Sequence, residues 1–245
     1  DTLASRNNLA NALNGLGQYQ QAADLHRQTL ADIERIHGPD HPLTLPLTLT
    51  SRNNLANTLN ALGQHQQAAD LHRQNLADRE RMEGPDHPDT LASRNNLANA
   101  LNGLGQYQQA ADLHRQTLAD RERIHGPDHP DTLASRNNLA NALGWIGNHQ
   151  QAVELHRQTL ADIERVHGPD HPNTLASRNN LADAFNDLGQ YQQAADLFRR
   201  VLADRERIHG PDHPHTLTSR NNLANAEARL AEAGRRRWWQ LTRRG

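Results

Sequence analysis

Residues 89–130 read DTLASRNNLANALNGLGQYQQAADLHRQTLADRERIHGPDHP, and residues 1–42 repeat them with a single change, Ile33 in place of Arg121. The hexamer Ser-Arg-Asn-Asn-Leu-Ala recurs from Ser5, Ser51, Ser93, Ser135, Ser177 and Ser219, at spacings of 46, 42, 42, 42 and 42 residues. A fixed period of roughly 20–50 residues marks a solenoid or a propeller. The content of one unit decides between them. Strand-like alternation is scarce, whereas Ala, Leu, Gln and Arg, which favour helix, abound. Near-identity of the units also points to recent duplication.

Each unit predicts two amphipathic helices. Over 2–16, Leu9, Leu13 and Leu16 fall at i, i+4, i+7; over 19–37, Ala22, Leu25, Thr29 and Ile36 form a second stripe flanked by Leu30. Gly17 between them suits a left-handed helix end. Pro39 and Pro42 in Gly38-Pro39-Asp40-His41-Pro42 cannot continue a helix and are expected to end the second one. Pro88 fits the first position of the next helix, and Asp89 complements its dipole. Comparison along the chain sorts the positions of helix B. Leu25 and Leu30 are Leu in every copy, and Ile36 is always apolar (Met82, Ile124, Val166, Ile208), so these are assigned to the core. Position 33 alternates between Ile and Arg and is expected to be half exposed.

The array divides into repeats 1–42, 43–88, 89–130, 131–172 and 173–214, a capping helix over 215–233, and a basic, Trp-containing tail over 234–245. Residues 43–46 are an insertion, with Pro46 taking over as helix starter. Glu227 replaces a core Leu and Ala231 the turn Gly, so the last helix should run unbroken to about Gly234 with a more polar outer face.

Composition fits this plan. Apolar residues are 35%, aromatics only 3%, and mean hydropathy is −0.91, too little for one large globule but enough for units that bury surface only against neighbours. There is no Cys, which excludes disulfides and thiolate metal sites, and no apolar run long enough to span a membrane. The 26 basic residues are all Arg. Six lie in 229–245 beside one Glu, leaving 20 against 27 acids elsewhere, so the array is mildly acidic and the tail basic. No nucleic-acid-binding body is expected. The chain opens at Asp1, without an initiator Met, and is expected to be a fragment with further repeats upstream; a cytoplasmic location is expected.

Asn-Leu-Ala, then Gly17-Gln-Tyr19, Ala22 and Leu30, resembles the tetratricopeptide repeat pattern, and the eight extra residues ending Gly-Pro-Asp-His-Pro resemble its 42-residue, kinesin-light-chain-like variety. Such repeats also occur in bacterial proteins fused to nucleotide-binding signalling ATPases. The resemblance covers 1 to about 233. It implies an all-α, right-handed superhelical solenoid of antiparallel helix pairs, with helix A lining a concave face. The chain departs from the family at three places: Arg6 and its equivalents replace a large aromatic of helix A; His26, His72, His114 and His156 replace the aromatic of helix B, with Phe198 in the fifth repeat; and the usual end-of-repeat proline is absent, consistent with a longer helix B.

Carried over residue by residue, that face would hold Asn7, Asn11 and Asn14; Asn53, Asn57 and Asn60; Asn95, Asn99 and Asn102; Asn137 and Asn141; Asn179, Asp183 and Asn186; and Asn221 and Asn225. An Asn amide donates and accepts, so a stack of them could hold the main chain of an extended peptide. Otherwise, some of them and the Asn8-type residues bond neighbouring helices. Trp145, replacing a Gly15-type residue, is either an interface anchor or filling beside Gly144 and Ile146.

His125/His129, His167/His171 and His209/His213, like His37/His41, are separated by Gly and Pro, so they do not share a helical face. They are expected to serve loop and cap, with no metal and no cofactor. Arg235-Arg236-Arg237-Trp238-Trp239 could touch lipid or nucleic acid, or simply seal the last helix. No Cys nucleophile, Gly-x-Ser-x-Gly or phosphate-cradling loop is present, and carboxylates such as Asp24, Asp32 and Glu34 recur in each unit, as on a solvated face. The expectation is a non-enzymatic scaffold binding a protein or extended peptide, part of a larger bacterial regulatory protein. A structural spacer and an end-to-end self-associating array are the alternatives.

Overall fold

A computed structural model describes residues 2–38 and 45–242. These residues form eleven α-helices and no strand. The chain divides into two compact units, Asp1–Asp120 and Arg121–Gly245. The first holds α1 (Leu3–Gly15), α2 (Tyr19–His37), α3 (Leu45–Ala61), α4 (His65–Glu83), α5 (Pro88–Gly103) and most of α6 (Tyr107–His125). The second holds the end of α6, then α7 (Pro130–Trp145), α8 (His149–His167), α9 (Pro172–Asp187), α10 (Tyr191–His209) and α11 (Pro214–Thr242). Within each unit, helices adjacent in sequence pack on one another. The first-unit loop with Pro39, Asp40, His41, Pro42, Leu43 and Thr44, and the side chains of Arg237, Trp238 and Trp239, lie outside the described residues.

The turn between paired helices follows from one glycine. At Gly17, Gly63, Gly105, Gly147 and Gly189 φ lies between 73° and 83°. In the first turn Gln18 N donates to Leu13 O at 2.9 Å and Gly17 N to Asn14 O at 3.0 Å, which satisfies the carbonyls that end a helix. The second break also belongs to a glycine rather than to the prolines. Gly38 has φ 80° and ψ 156°, and Gly84, Gly168 and Gly210 adopt nearly the same angles, a region essentially closed to other residues. Proline then opens the next helix, and because it has no N–H, the first free donor is one residue on. His87, His129, His171 and His213 accept it through Nδ1, at 3.1–3.3 Å.

Small residues set the helix spacing. Ala22, Ala23, Ala68, Ala69, Ala98, Ala110, Ala182, Ala194 and Ala195 are completely buried. Around them the first unit packs Leu55, Leu59, Leu97 and Leu101, and the second Leu181, Phe185 and Phe198. In α1, by contrast, Leu9 and Leu16 are exposed.

Two core assignments are corrected. Ile33 and Ile163 are buried, not half exposed, whereas Ile36, Met82, Ile124, Val166 and Ile208 are all exposed. Helix B has 19 residues against 16 in a typical helix A, so it overhangs its neighbour by about 4–5 Å at 1.5 Å per residue, and position 36 sits on the overhang. Where position 33 is Arg, the side chain reaches the start of the next helix A: Arg121 donates to Asp131 O and Ser135 Oγ, both at 2.9 Å, and Arg205 to His215 O and Ser219 Oγ. The last helix also differs, continuing through Gly234 to Thr242. A glycine without positive φ weakens a helix without ending it, and Glu232 pairs with Arg236 across this point.

The carboxylates of helix B are not a merely solvated face. Arg52, Arg94 and Arg136, each at most 8% exposed, reach an Asp on helix B of their own repeat: Asp78 at 2.8 Å, Asp120 at 2.6 Å and Asp162 at 2.6 Å. Their second contact is the preceding repeat's Glu: Glu34 at 4.0 Å, Glu80 at 3.5 Å and Glu122 at 3.2 Å. Arg178 does the same with Asp204 and Glu164. The Arg that displaces the helix A aromatic is therefore a clamp between repeats.

Two measurements test these packing statements. His72 and His114 are 1% exposed, neither ring nitrogen of His72 has a hydrogen-bond partner, nor does His114 Nδ1, and burial lowers both pKa values to about 4. Above pH 6.5 both states are neutral. As pH falls from 6.5 to 4, the unfolded chain takes up protons that the folded chain excludes, so stability is progressively lost, by about 3 kcal/mol or less per histidine. His72→Phe with His114→Phe, the residue the fifth repeat carries at Phe198, should lower the acid-unfolding midpoint and flatten this dependence in a circular-dichroism titration. For the clamp, Asp120→Ala leaves the Arg94 charge underpaired. Thermal unfolding should show it costing about 3 kcal/mol, more than Arg94→Met, which removes the charge and keeps the volume.

Candidate functional site

The helix A residues named from the sequence separate into three sets by depth. Asn7-type side chains tie successive A helices together: Asn54 Nδ2 donates to Asn7 Oδ1 at 3.3 Å and Asn96 Nδ2 to Asn53 Oδ1 at 3.0 Å. Asn137 Oδ1 instead lies 3.2 Å from Nδ1 of the buried His156. Asn95 and Asn179 are half-buried, and Asn221 is exposed. The Asn14 set also faces neighbours. Asn14 Nδ2 donates to Thr58 Oγ1 at 2.7 Å, Asn60 Oδ1 lies 3.2 Å from His65 Nδ1, and Asn102 and Asn186 are half-buried.

The Asn11 set is different. Asn11, Asn57 and Asn99 in the first unit, and Asp183 and Asn225 in the second, are exposed, and Asn141 is half-buried. One helical turn from both other sets, these side chains are exposed in every repeat but the fourth, and in the other two sets only Asn221 is exposed. The structure thus narrows the candidate face to one position per repeat.

Trp145 ends α7 with 53% of its surface exposed. With Asn141 it borders a cavity of about 150 Å³ between α7, α8 and α9, whose other walls include His149, His156, Asp183 and Asp187. Asp183, although exposed by area, has its carboxyl pushed up to about 6, first by desolvation in this crease and then by Asp187 one turn on, with Arg229 opposing. Asp187, His149 and His156 were not picked out by the sequence reading of the face. The available signal was that Asp183 and Asp187 replace the Asn and Gly of the first and third repeats.

The loop histidines stack instead of converging. His125 and His129 lie 4.5 Å apart, centre to centre, as do His167 and His171, and His129 and His171 use Nδ1 as helix caps. Glu83, His87 and Asp89 each bring one ligand atom within 4.8 Å of the others. Arg79 already sits on both carboxylates, 2.9 Å from Glu83 and 2.8 Å from Asp89, so a cation there would have to displace a guanidinium. Among the described residues, no helix is long and apolar enough to cross a membrane.

The tetratricopeptide repeat family model matches residues 47–123, 96–161, 134–207 and 186–233, and a second model of the same description matches 2–43. Among solved structures, the chain is similar to the nearly identical TPR-like repeats of a Podosopora anserina protein assigned as a kinesin light chain. Identity is 34%, TM-score 0.73, and the match covers 84% of this chain and 95% of that one. It shares its fold with a Pyrococcus horikoshii signal transduction ATPase that carries a tetratricopeptide repeat sensor (11% identity, TM-score 0.65, 93% of this chain and 32% of that one). It also shares it with Bacillus thuringiensis PlcR, solved with the peptide PapR7 and DNA (13% identity, TM-score 0.58, 93% and 74%). A comparison with curated protein sequences finds no match.

The division of the Asn residues is testable. Asn53→Ala should lower stability by about 1 kcal/mol, because it removes the acceptor of Asn96. Asn57→Ala should stay within about 0.5 kcal/mol of the parent. Paired thermal melts read both.

Proposed function

The chain belongs to the tetratricopeptide repeat family, whose repeats mediate protein–protein interaction, and from that premise we propose that its helix A face binds an extended peptide segment of a partner protein. The observation that carries this reading is the outward-facing Asn11 set, separate from the Asn residues spent between helices. Within either unit, a peptide laid along these positions would meet an amide able to donate and accept in each repeat except the fifth, where Asp183 offers a carboxylate. Such binding reads main chain more than side chain, so affinity comes from the number of repeats engaged. The array then serves as the non-catalytic recognition part of a larger bacterial regulatory protein in the cytoplasm.

A second reading is favoured by the near-identity of residues 1–42 and 89–130. Units this alike can act as a spacer whose length is set by repeat number, without a ligand. Self-association through the exposed Leu9 and Leu16 of α1 is a separate possibility, read by sedimentation equilibrium.

A peptide-array screen on the intact chain, repeated with Asn57→Ala and Asn99→Ala together and with Asn141→Ala, decides between binding and spacing. The expected result is a set of peptides whose binding weakens about tenfold in these variants while the melting temperature holds. Absence of any binding leaves the spacer, and binding indifferent to all three substitutions refutes the Asn11 set as the site.

A further inference from the structure

The cavity between α7, α8 and α9 differs from the rest of its unit in charge. Most other carboxylates of the second unit meet arginines: Asp162 and Glu122 with Arg136, Asp204 and Glu164 with Arg178, Glu206 with Arg220, Glu227 and Asp196 with Arg199. Asp183 and Asp187 have no ion pair or hydrogen bond with any described side chain. They stand one turn apart on α9 with only the more distant field of Arg229 against them.

The remaining walls carry both donors and acceptors, with N–H groups on Asn141, Asn180 and the Trp145 indole. His149 Nδ1 is a buried atom without a hydrogen-bond partner. His156 is 2% exposed and meets Asn137 Oδ1 through Nδ1. That bond requires the proton on Nδ1, so Nε2 of the neutral ring is left as an acceptor, and burial keeps the ring neutral, its pKa lowered to about 4. The Trp145 indole supplies a π surface on the same wall. Two carboxylates, the acceptor nitrogen of His156 and an aromatic wall together complement a cation rich in N–H groups. They disfavour an anion. A single metal ion is also disfavoured, because no three ligand atoms of these residues approach one another as those of Glu83, His87 and Asp89 do.

We propose that this cavity receives the guanidinium or ammonium of an Arg or Lys side chain carried by the bound peptide. Asp183 and Asp187 supply the countercharge, and Trp145 the face on which the cation rests. A cavity of about 150 Å³ holds a side-chain head group and little more, so the rest of the ligand must lie outside it, where Asn141 marks the rim. The inference rests on the peptide-binding reading of the helix A face and adds a specific pocket to an otherwise side-chain-tolerant one.

The test uses the intact chain and three probes: a capped pentapeptide Gly-Ala-Arg-Ala-Gly, the same peptide with Leu in place of Arg, and agmatine. NMR follows the Trp145 indole N–H, assigned by its loss in Trp145→Phe, and the Asp183 carboxyl carbon. The Arg peptide should shift the indole and return the Asp183 pKa towards its ordinary value. Asp183→Asn, which installs the residue the other repeats carry and so leaves folding intact, should weaken binding at least about tenfold. If the Leu peptide binds equally well and still depends on Asn141, the pocket is refuted while the peptide-binding face stands. Agmatine binding as tightly as the Arg peptide shows that a free cation suffices and overturns the peptide-borne occupant. Silence of Trp145 and Asp183 towards all three probes refutes the pocket outright.

Discussion

An arginine on helix A of the second to fifth repeats, held between an aspartate of its own repeat and a glutamate of the repeat before, is the interaction on which the packing depends. It fixes two distances at once: how far apart helices A and B of a pair sit, and where the pair meets its predecessor. In the first unit Arg52 and Arg94 do this, and in the second Arg136, Arg178 and, through Glu206, Arg220. A buried ion pair adds little net stability compared with apolar packing, because desolvation offsets most of the attraction. Its contribution here is register. Apolar side chains tolerate a slide of one turn, but an Arg with two fixed carboxylate partners does not.

That register explains how so few aromatics suffice. With the spacing set by charge, alanines can lie directly against the neighbouring helix and bury completely, and dispersion over many close contacts replaces the bulk of a large ring. The histidines at the aromatic position have a less favourable consequence. They fill volume as phenylalanine would, as Phe198 does in the fifth repeat, but leave ring nitrogens without partners in a dry interior. The packing is therefore sound at neutral pH and weakens in acid.

Much of the fold was legible in the sequence, because the repeat period, the turn glycine and the proline start are local signals. Helix ends in the regular repeats lie within a residue or two of those expected for the same reason, whereas α11, which lacks the turn glycine, runs on to Thr242. Legibility failed where a residue's environment is set by a different repeat. Ile36 read as core and Ile33 as half exposed, yet the structure buries Ile33 and leaves Ile36 on the overhang of the longer helix. Arg6-type residues read as departures from an aromatic pattern, and their role appears only when carboxylates 26 residues later and 14 to 18 residues earlier are seen to converge on them. At the candidate face, the Asn pattern was visible but its depth was not. Period alone cannot say which of three Asn residues on a helix faces its neighbour and which faces outward.

In an array of near-copies, selectivity must come from the positions where copies differ. Some differences keep the character of the side chain, such as Val166 for Ile124, and others exchange one packing role for another, as Ile163 does for Arg121. Trp145, Asp183 and Asp187 do neither. They fall in two successive repeats, at equivalent or adjacent positions of helix A, and border one cavity. Independent drift on a spacer would scatter such changes over the surface and would as readily insert a base as an acid. Two acids without an arginine partner, one turn apart and beside an indole, form one chemically coherent departure from the copies around them. That coherence separates a repeat face able to hold any extended chain from one able to select among them.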